Sequence, residues 1–266
     1  MKIYQILFSR CSRFPKFLFS LVFLCILAFT MLFHLKSYGA FRTPLADTTN
    51  RPIPVFDHDC EGGLTVVHFL GASLFSRGTW LDELGVSLNN EAQQKEQPSP
   101  VDTKRYKVAV TALAGRNSDW GVRQLQNIFG PDRQTPDLLV VGFSANDAAL
   151  HRGVPLKKSR QNHQQIIAYA QEFDTPVFLA TLAPAFGPRK WVRPGLHAYK
   201  DLYHELADEN DNTEVIDTLP IWQTLPETEL KASIPDGLHP SDEAMRSKMQ
   251  PFFRDTILGK NTCPGS

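Results

Sequence analysis

The chain carries two different hydrophobic patterns. Residues 17–35 (FLFSLVFLCILAFTMLFHL) form one apolar run of 19 residues without Asp, Glu, Lys or Arg. A helix needs about 20 apolar residues to cross the hydrocarbon core of a bilayer, and the apolar part of a signal peptide usually spans about 7–15. The run therefore predicts a transmembrane signal anchor. The lack of any polar face along the run argues against a buried core helix. From residue 64 onward, short apolar runs alternate with amphipathic stretches. Runs at 64–70, 106–113, 138–143, 176–182 and 214–218 predict five strands. Helical spacing of apolar residues predicts helices over 79–88, 119–129, 156–173, 196–209 and 241–258. The polar, proline-containing stretch 89–104 predicts an exposed loop. Strands this apolar, alternating with helices, predict a three-layer α/β/α doubly wound domain of flavodoxin-like type. Its five-stranded sheet should be mostly parallel.

Charge orients this plan. The 266 residues hold 28 Lys+Arg and 28 Asp+Glu. The first 36 carry Lys2, Arg10, Arg13, Lys16 and Lys36 and no acid, which leaves 23 bases against 28 acids beyond them, a net of −5. An acidic body lacks the basic footprint of a nucleic-acid binder. Four bases precede the apolar run, and Lys36 and Arg42 follow it closely. The positive-inside rule then keeps the N-terminus in the cytoplasm and exports the body, into a periplasm if the host is a Gram-negative bacterium. Small residues around Ser37-Tyr38-Gly39 leave secretion after cleavage as the alternative. The expected organisation is a cytoplasmic tail (1–16), an anchor (17–35), a tether (36–63) with Pro44, Pro52 and Pro54, the folded domain (64–260) and a C-terminal tail (261–266).

The candidate chemistry lies in the loops that follow the strands, where active groups of such sheets gather. Gly71-Ala72-Ser73 follows the first strand and Ala114-Gly115-Arg116-Asn117-Ser118 the second. Ser144-Ala145-Asn146-Asp147 follows the third, and Asp236-Gly237-Leu238-His239-Pro240 precedes the last helix. Alone, each block reads as cap or turn chemistry. Four in order at successive strand ends do not. On these blocks, residues 64–258 resemble the SGNH/GDSL hydrolase superfamily of serine esterases and lipases.

The resemblance implies roles for these residues. Ser73 would be the nucleophile, His239 the general base and Asp236 the acid that orients it. The Ser73 and Gly115 backbone N–H groups and the Asn146 side-chain amide would form the oxyanion hole. The implied activity is hydrolysis of a carboxylic ester through an acyl-enzyme on Ser73, with no cofactor. A small acyl ester, a lipid and an O-acylated glycan are all compatible substrates. The same triad would serve an O-acyltransferase. One departure stands out: the family's first block is usually Gly-Asp-Ser, and Ala72 takes the aspartate's place. That change gives a third reading, a non-catalytic binding module on the same fold.

Three further expectations concern other residues. The segment 183–194 (APAFGPRKWVRP) should overhang the catalytic edge, with Trp191 and Arg193 as a substrate wall. Cys60 and Cys263 should both reach the amino edge of the sheet and form a disulfide. His68 reads as a core histidine, and His151, His163, His197 and His204 show no metal-ligand spacing, so no metal is expected.

Overall fold

The computed structural model describes residues 16–45, 63–95, 105–181 and 183–258. A first helix, α1 (Lys16–Ser37), carries the apolar run. Its segment Ser20–Ser37 is long and apolar enough to cross a membrane, and none of it is buried in the protein. Cys25 projects from it as a free, exposed cysteine. Cys60 and Cys263 lie outside the described residues.

The body is built on five parallel strands: β1 (Leu64–Gly71), β2 (Arg105–Ala112), β3 (Leu138–Gly142), β4 (Val177–Ala180) and β5 (Thr213–Ile216). They lie in the order β2-β1-β3-β4-β5. The chain thus winds outward first on one side of β1 and then on the other. Successive residues of a strand point to opposite faces, and both faces are covered. Val67, Phe69, Val140, Phe178 and Ile216 pack into one apolar layer. Leu70, Val141, Leu179 and Val215 pack into the other. That two-sided burial is why the strands are continuously apolar rather than alternating.

The first layer is closed by α3 (Trp80–Lys95), which follows a single turn α2 (Ser73–Ser76), and by the C-terminal helix. The second layer is closed by α4 (Ser118–Phe129), α6 (Leu156–Gln171) and α8 (Leu196–Asp208). Shorter helices serve the loops: α5 (Ser144–Asp147), α7 (Pro188–Trp191), α9 (Leu219–Gln223) and α10 (Glu227–Ser233).

Three expectations change. Residues 89–95 are helical rather than loop. Good helix formers continue α3, and Asn89 fastens it to the edge strand: its amide donates to the Tyr106 carbonyl (3.0 Å) and its oxygen accepts from the Tyr106 N–H (2.8 Å). The C-terminal helix is not uniform. It runs as α11 (Asp242–Ala244), a widened π turn (Met245–Met249) and α12 (Gln250–Leu258). The wide turn comes just before Pro251, which has no N–H to continue an α-helical ladder.

The third change concerns the expected tether. Residues 38–45 lie on the body. Tyr38 is buried against Tyr199, with ring centroids 6.4 Å apart, in an apolar cluster with Ala148. A side chain at Gly195 would strike the Tyr38 carbonyl, with Cβ only 1.8 Å from that oxygen. The Leu45 N–H donates to Asp201 (3.1 Å), the Arg42 carbonyl meets His197 Nε2 (2.7 Å), and Arg42 pairs with Glu205.

Candidate active site

Strand register brings the loops together. Gly71, the last residue of β1, pairs with Gly142 at the end of β3 on one side and with Ala112 at the end of β2 on the other. Ser73, Ser144 and Gly115 therefore leave the sheet at one level of its carboxyl edge. Gly71 has no room for a side chain, since a Cβ there would lie 2.4 Å from the Phe75 ring and 2.9 Å from the Gly142 carbonyl. Ala72 is buried in the second apolar layer. Its carbonyl accepts from the Phe75 and Ser76 N–H groups (both 3.1 Å), and Trp80 Nε1–H donates to Leu74 (2.8 Å). Backbone bonds and apolar packing thus hold this turn, with no aspartate side chain.

The Asp236–His239 turn arrives from the far end of the sheet through α9 and α10. Gly237 sits at φ +77°, a left-handed conformation that disfavours a side chain. This curls the chain so that Asp236 Oδ1 accepts from the Leu238 N–H (2.9 Å) and the His239 N–H (2.7 Å). The other oxygen, Oδ2, lies 2.7 Å from His239 Nδ1, and His239 Nε2 lies 2.9 Å from Ser73 Oγ. Ser73, His239 and Asp236 form one continuous hydrogen-bonded chain. With Nδ1–H donating to the carboxylate, Nε2 is left as acceptor for the serine hydroxyl.

The electrostatics follow from this geometry. Burial works against the Asp236 charge, but the bonds from the His239 ring and the two backbone N–H groups outweigh it and hold the carboxyl well below its ordinary range. Burial lowers the His239 pKa below 6.5, and the Asp236 carboxylate offsets part of that shift. The imidazole is therefore neutral and basic at neutral pH, the state a general base requires.

Gly115 takes φ +78° in a turn closed by the Arg116 N–H on the Leu113 carbonyl (3.2 Å). Asn146 is buried in α5, and its Nδ2 donates one hydrogen to the Arg116 carbonyl (2.7 Å). That bond joins the second and third blocks and leaves the other amide hydrogen for a further acceptor. Beneath it, Asp147 is fully buried and accepts from the Ser118 N–H (2.8 Å) and the Ser159 hydroxyl (2.6 Å). Burial raises its pKa to about 6 against those bonds. Ser159 and Asn162, which bonds Ser118 Oγ (2.8 Å), brace the same turn. Neither carries a motif, and their only sequence signal is polarity on the inner face of an amphipathic helix.

The overhanging segment is fastened to the histidine turn by the Phe186 N–H on the Gly237 carbonyl (2.9 Å). Arg189 Nη2 then reaches Asp236 Oδ2 (3.3 Å). The expected wall divides. Trp191 is 76% exposed, whereas Arg193 is 1% exposed and turned into the protein, donating from Nε to the Ala145 carbonyl (2.6 Å). A cleft of about 320 Å³ opens beside His239 and Asp236, lined also by Leu74, Arg77 and Met245. His68 sits in β1 at 2.9 Å from Thr111 Oγ1, and burial lowers its pKa to about 4. No cluster of three His, Cys, Asp or Glu suited to a metal occurs among the described residues.

A parallel sheet in this order, with a Ser–His–Asp chain at its carboxyl edge, is the architecture of the GDSL-like hydrolases. The chain belongs to the GDSL-like lipase/acylhydrolase family, which it matches over residues 69–246. It is 24% identical over 148 residues to an arylesterase of Vibrio mimicus, an alignment covering 55% of this chain and 65% of that protein. Among solved structures it resembles a lipase/acylhydrolase from Enterococcus faecalis (TM-score 0.56, 20% identity, 72% of this chain and 95% of the other). It also resembles a variant of an acetyl-xylooligosaccharide esterase from Geobacillus (TM-score 0.57, 15% identity, 75% and 96%).

Proposed function

We propose that this protein is a membrane-anchored serine esterase that hydrolyses a carboxylic ester through an acyl-enzyme on Ser73. The observation that carries the reading is the hydrogen-bonded chain from Ser73 Oγ through His239 to Asp236. His239 Nε2 takes the hydroxyl proton as Oγ attacks the ester carbonyl. The tetrahedral oxyanion is met by the Ser73 and Gly115 backbone N–H groups and by the free hydrogen of Asn146 Nδ2. Collapse expels the alcohol, which receives the proton from His239. Water, deprotonated by the same imidazole, then attacks the acyl-enzyme and releases the acid. Asp236 stays ionised throughout and stabilises the imidazolium.

In this reading α1 remains attached and spans the bilayer, with the body on the extracytoplasmic side. Burial of Tyr38 supports retention, because cleavage after Gly39 would strip a packed aromatic from the body.

The test uses the full chain in detergent, with a fluorophosphonate probe and p-nitrophenyl acetate. Labelling and turnover are expected for the wild type and should both vanish in Ser73→Ala. Unlabelled but folded wild-type protein would overturn the reading in favour of a binding module. Chain that is released from membranes by alkali, with a new N-terminus near residue 40, would overturn the anchored topology.

A further inference from the structure

Positive charge is concentrated around the candidate site of a body whose net charge is negative. Arg77 lines the cleft beside His239. Arg152 lies over the second block, its Nη1 3.3 Å from where a Cβ on Gly115 would stand. Arg189 bonds Asp236. Arg193 lies behind α5, its Nη1 donating to the Arg189 carbonyl (3.2 Å) and its Nη2 buried without a partner. Among the described residues no carboxylate forms an ion pair with Arg77, Arg152 or Arg193. Two carboxylates, Asp236 and Asp242, line the cleft with Arg77; Asp236 already serves His239 and Arg189, and Asp242 forms no ion pair with Arg77.

A buried guanidinium without a counter-ion is costly, and like charges beside it add to the cost. The mutual influence is visible. Burial first, and then the charges of Arg152 and Arg189, lower the Arg193 pKa to about 10 against the opposing pull of Asp236; burial first, and then the same three arginines, depress His151. Such an arrangement becomes favourable when an anion occupies the mouth. Low-dielectric walls also focus the field and raise the local concentration of anionic solutes.

We propose that the ester taken by this site carries a carboxylate or phosphate beside its scissile bond, recognised by Arg152 and Arg189. Arg193, being buried, contributes its field rather than a contact. This inference rests on the esterase reading and adds the substrate class to it. A field serving the oxyanion alone would accelerate neutral and anionic esters alike, so matched ester pairs separate the two cases.

The experiment measures kcat/KM of the full chain for acetylsalicylate against its methyl ester, which tests the alcohol side. It repeats this for p-nitrophenyl hydrogen succinate against p-nitrophenyl methyl succinate, which tests the acyl side. In at least one pair the anionic member should be favoured by about tenfold or more, and added salt should shrink the ratio. Arg152→Glu should bring that ratio below one, while Arg152→Lys keeps most of it. Calorimetry on Ser73→Ala should show acetylsalicylate binding more tightly than its methyl ester. Turnover of all four esters with ratios near one overturns the anion proposal and leaves the esterase reading intact. No turnover of any ester overturns the esterase reading, and the titration then decides the anion site: equal binding of acid and methyl ester refutes it.

Discussion

At the scale of single residues, the site depends on which atoms are already occupied. His239 has its Nδ1 committed to Asp236, so only Nε2 is free to accept the Ser73 proton. Its pKa lies below 6.5, so the active neutral form persists into mildly acidic solution. The acid limb of kcat/KM should therefore inflect below pH 6.5. Asp236→Asn removes the influence that raises this pKa, so the inflection should move lower still while kcat falls by about 10⁴. An inflection at or above 6.5, or an unshifted one in Asp236→Asn, would contradict this account. Asn146→Ala removes one of the proposed oxyanion donors and should cost about 10²–10³ in kcat, with near-native KM if the bond acts only in the transition state. The replacement of the family's aspartate by Ala72 loses its force as a sign of inactivity, since the turn is held by backbone bonds and by Phe75 and Trp80.

At the scale of elements, the decisive pieces are the turns that end the strands. Gly237 shows this most clearly, combining φ +77° with a Phe186 carbonyl only 2.7 Å from where its Cβ would stand. Gly237→Ala should cost about 1–2 kcal/mol in backbone strain alone and displace Asp236 from His239. Turnover should fall by more than tenfold while the far-ultraviolet circular dichroism stays unchanged; native turnover would show that the turn tolerates a side chain. The strands and main helices were legible in the sequence because each buries an apolar face of regular period. The short helices α7, α9 and α10 were not. Each is too brief to show a period, and proline within or just before each one marks where it starts without announcing a helix. Asn89–Tyr106 pairing explains the longer α3 in the same way, since a contact between distant elements overrode the polar composition of residues 89–95.

At the scale of the whole molecule, residues 38–45 join the apolar helix to the body. They pack on α8 and, through Ala148, beside the turn that carries Asn146. The body is therefore strapped to the end of the apolar helix. Tyr38→Ala removes a buried aromatic, a change that typically costs about 3–5 kcal/mol. It should open residues 38–45 to limited proteolysis in the full chain and lower the Tm, whereas Tyr38→Phe should do neither. Equal cleavage of all three proteins would mean that the segment behaves as the free tether expected over residues 36–63.

The sequence by itself determined the apolar N-terminal helix, the parallel α/β plan and the four blocks Ser73, Gly115, Asn146 and Asp236–His239. Hydropathy, period and turn chemistry are local properties that survive without tertiary context. The tertiary structure alone decided the partners of the residues between those blocks. Trp191 and Arg193 are near neighbours in one loop, yet one faces solvent and the other is buried under α5. Arg152 and Arg189 come from loops far apart in sequence, and Tyr38 closes on Tyr199 across more than half the chain. Where a side chain points depends on what the other layers leave open, and no local pattern encodes that.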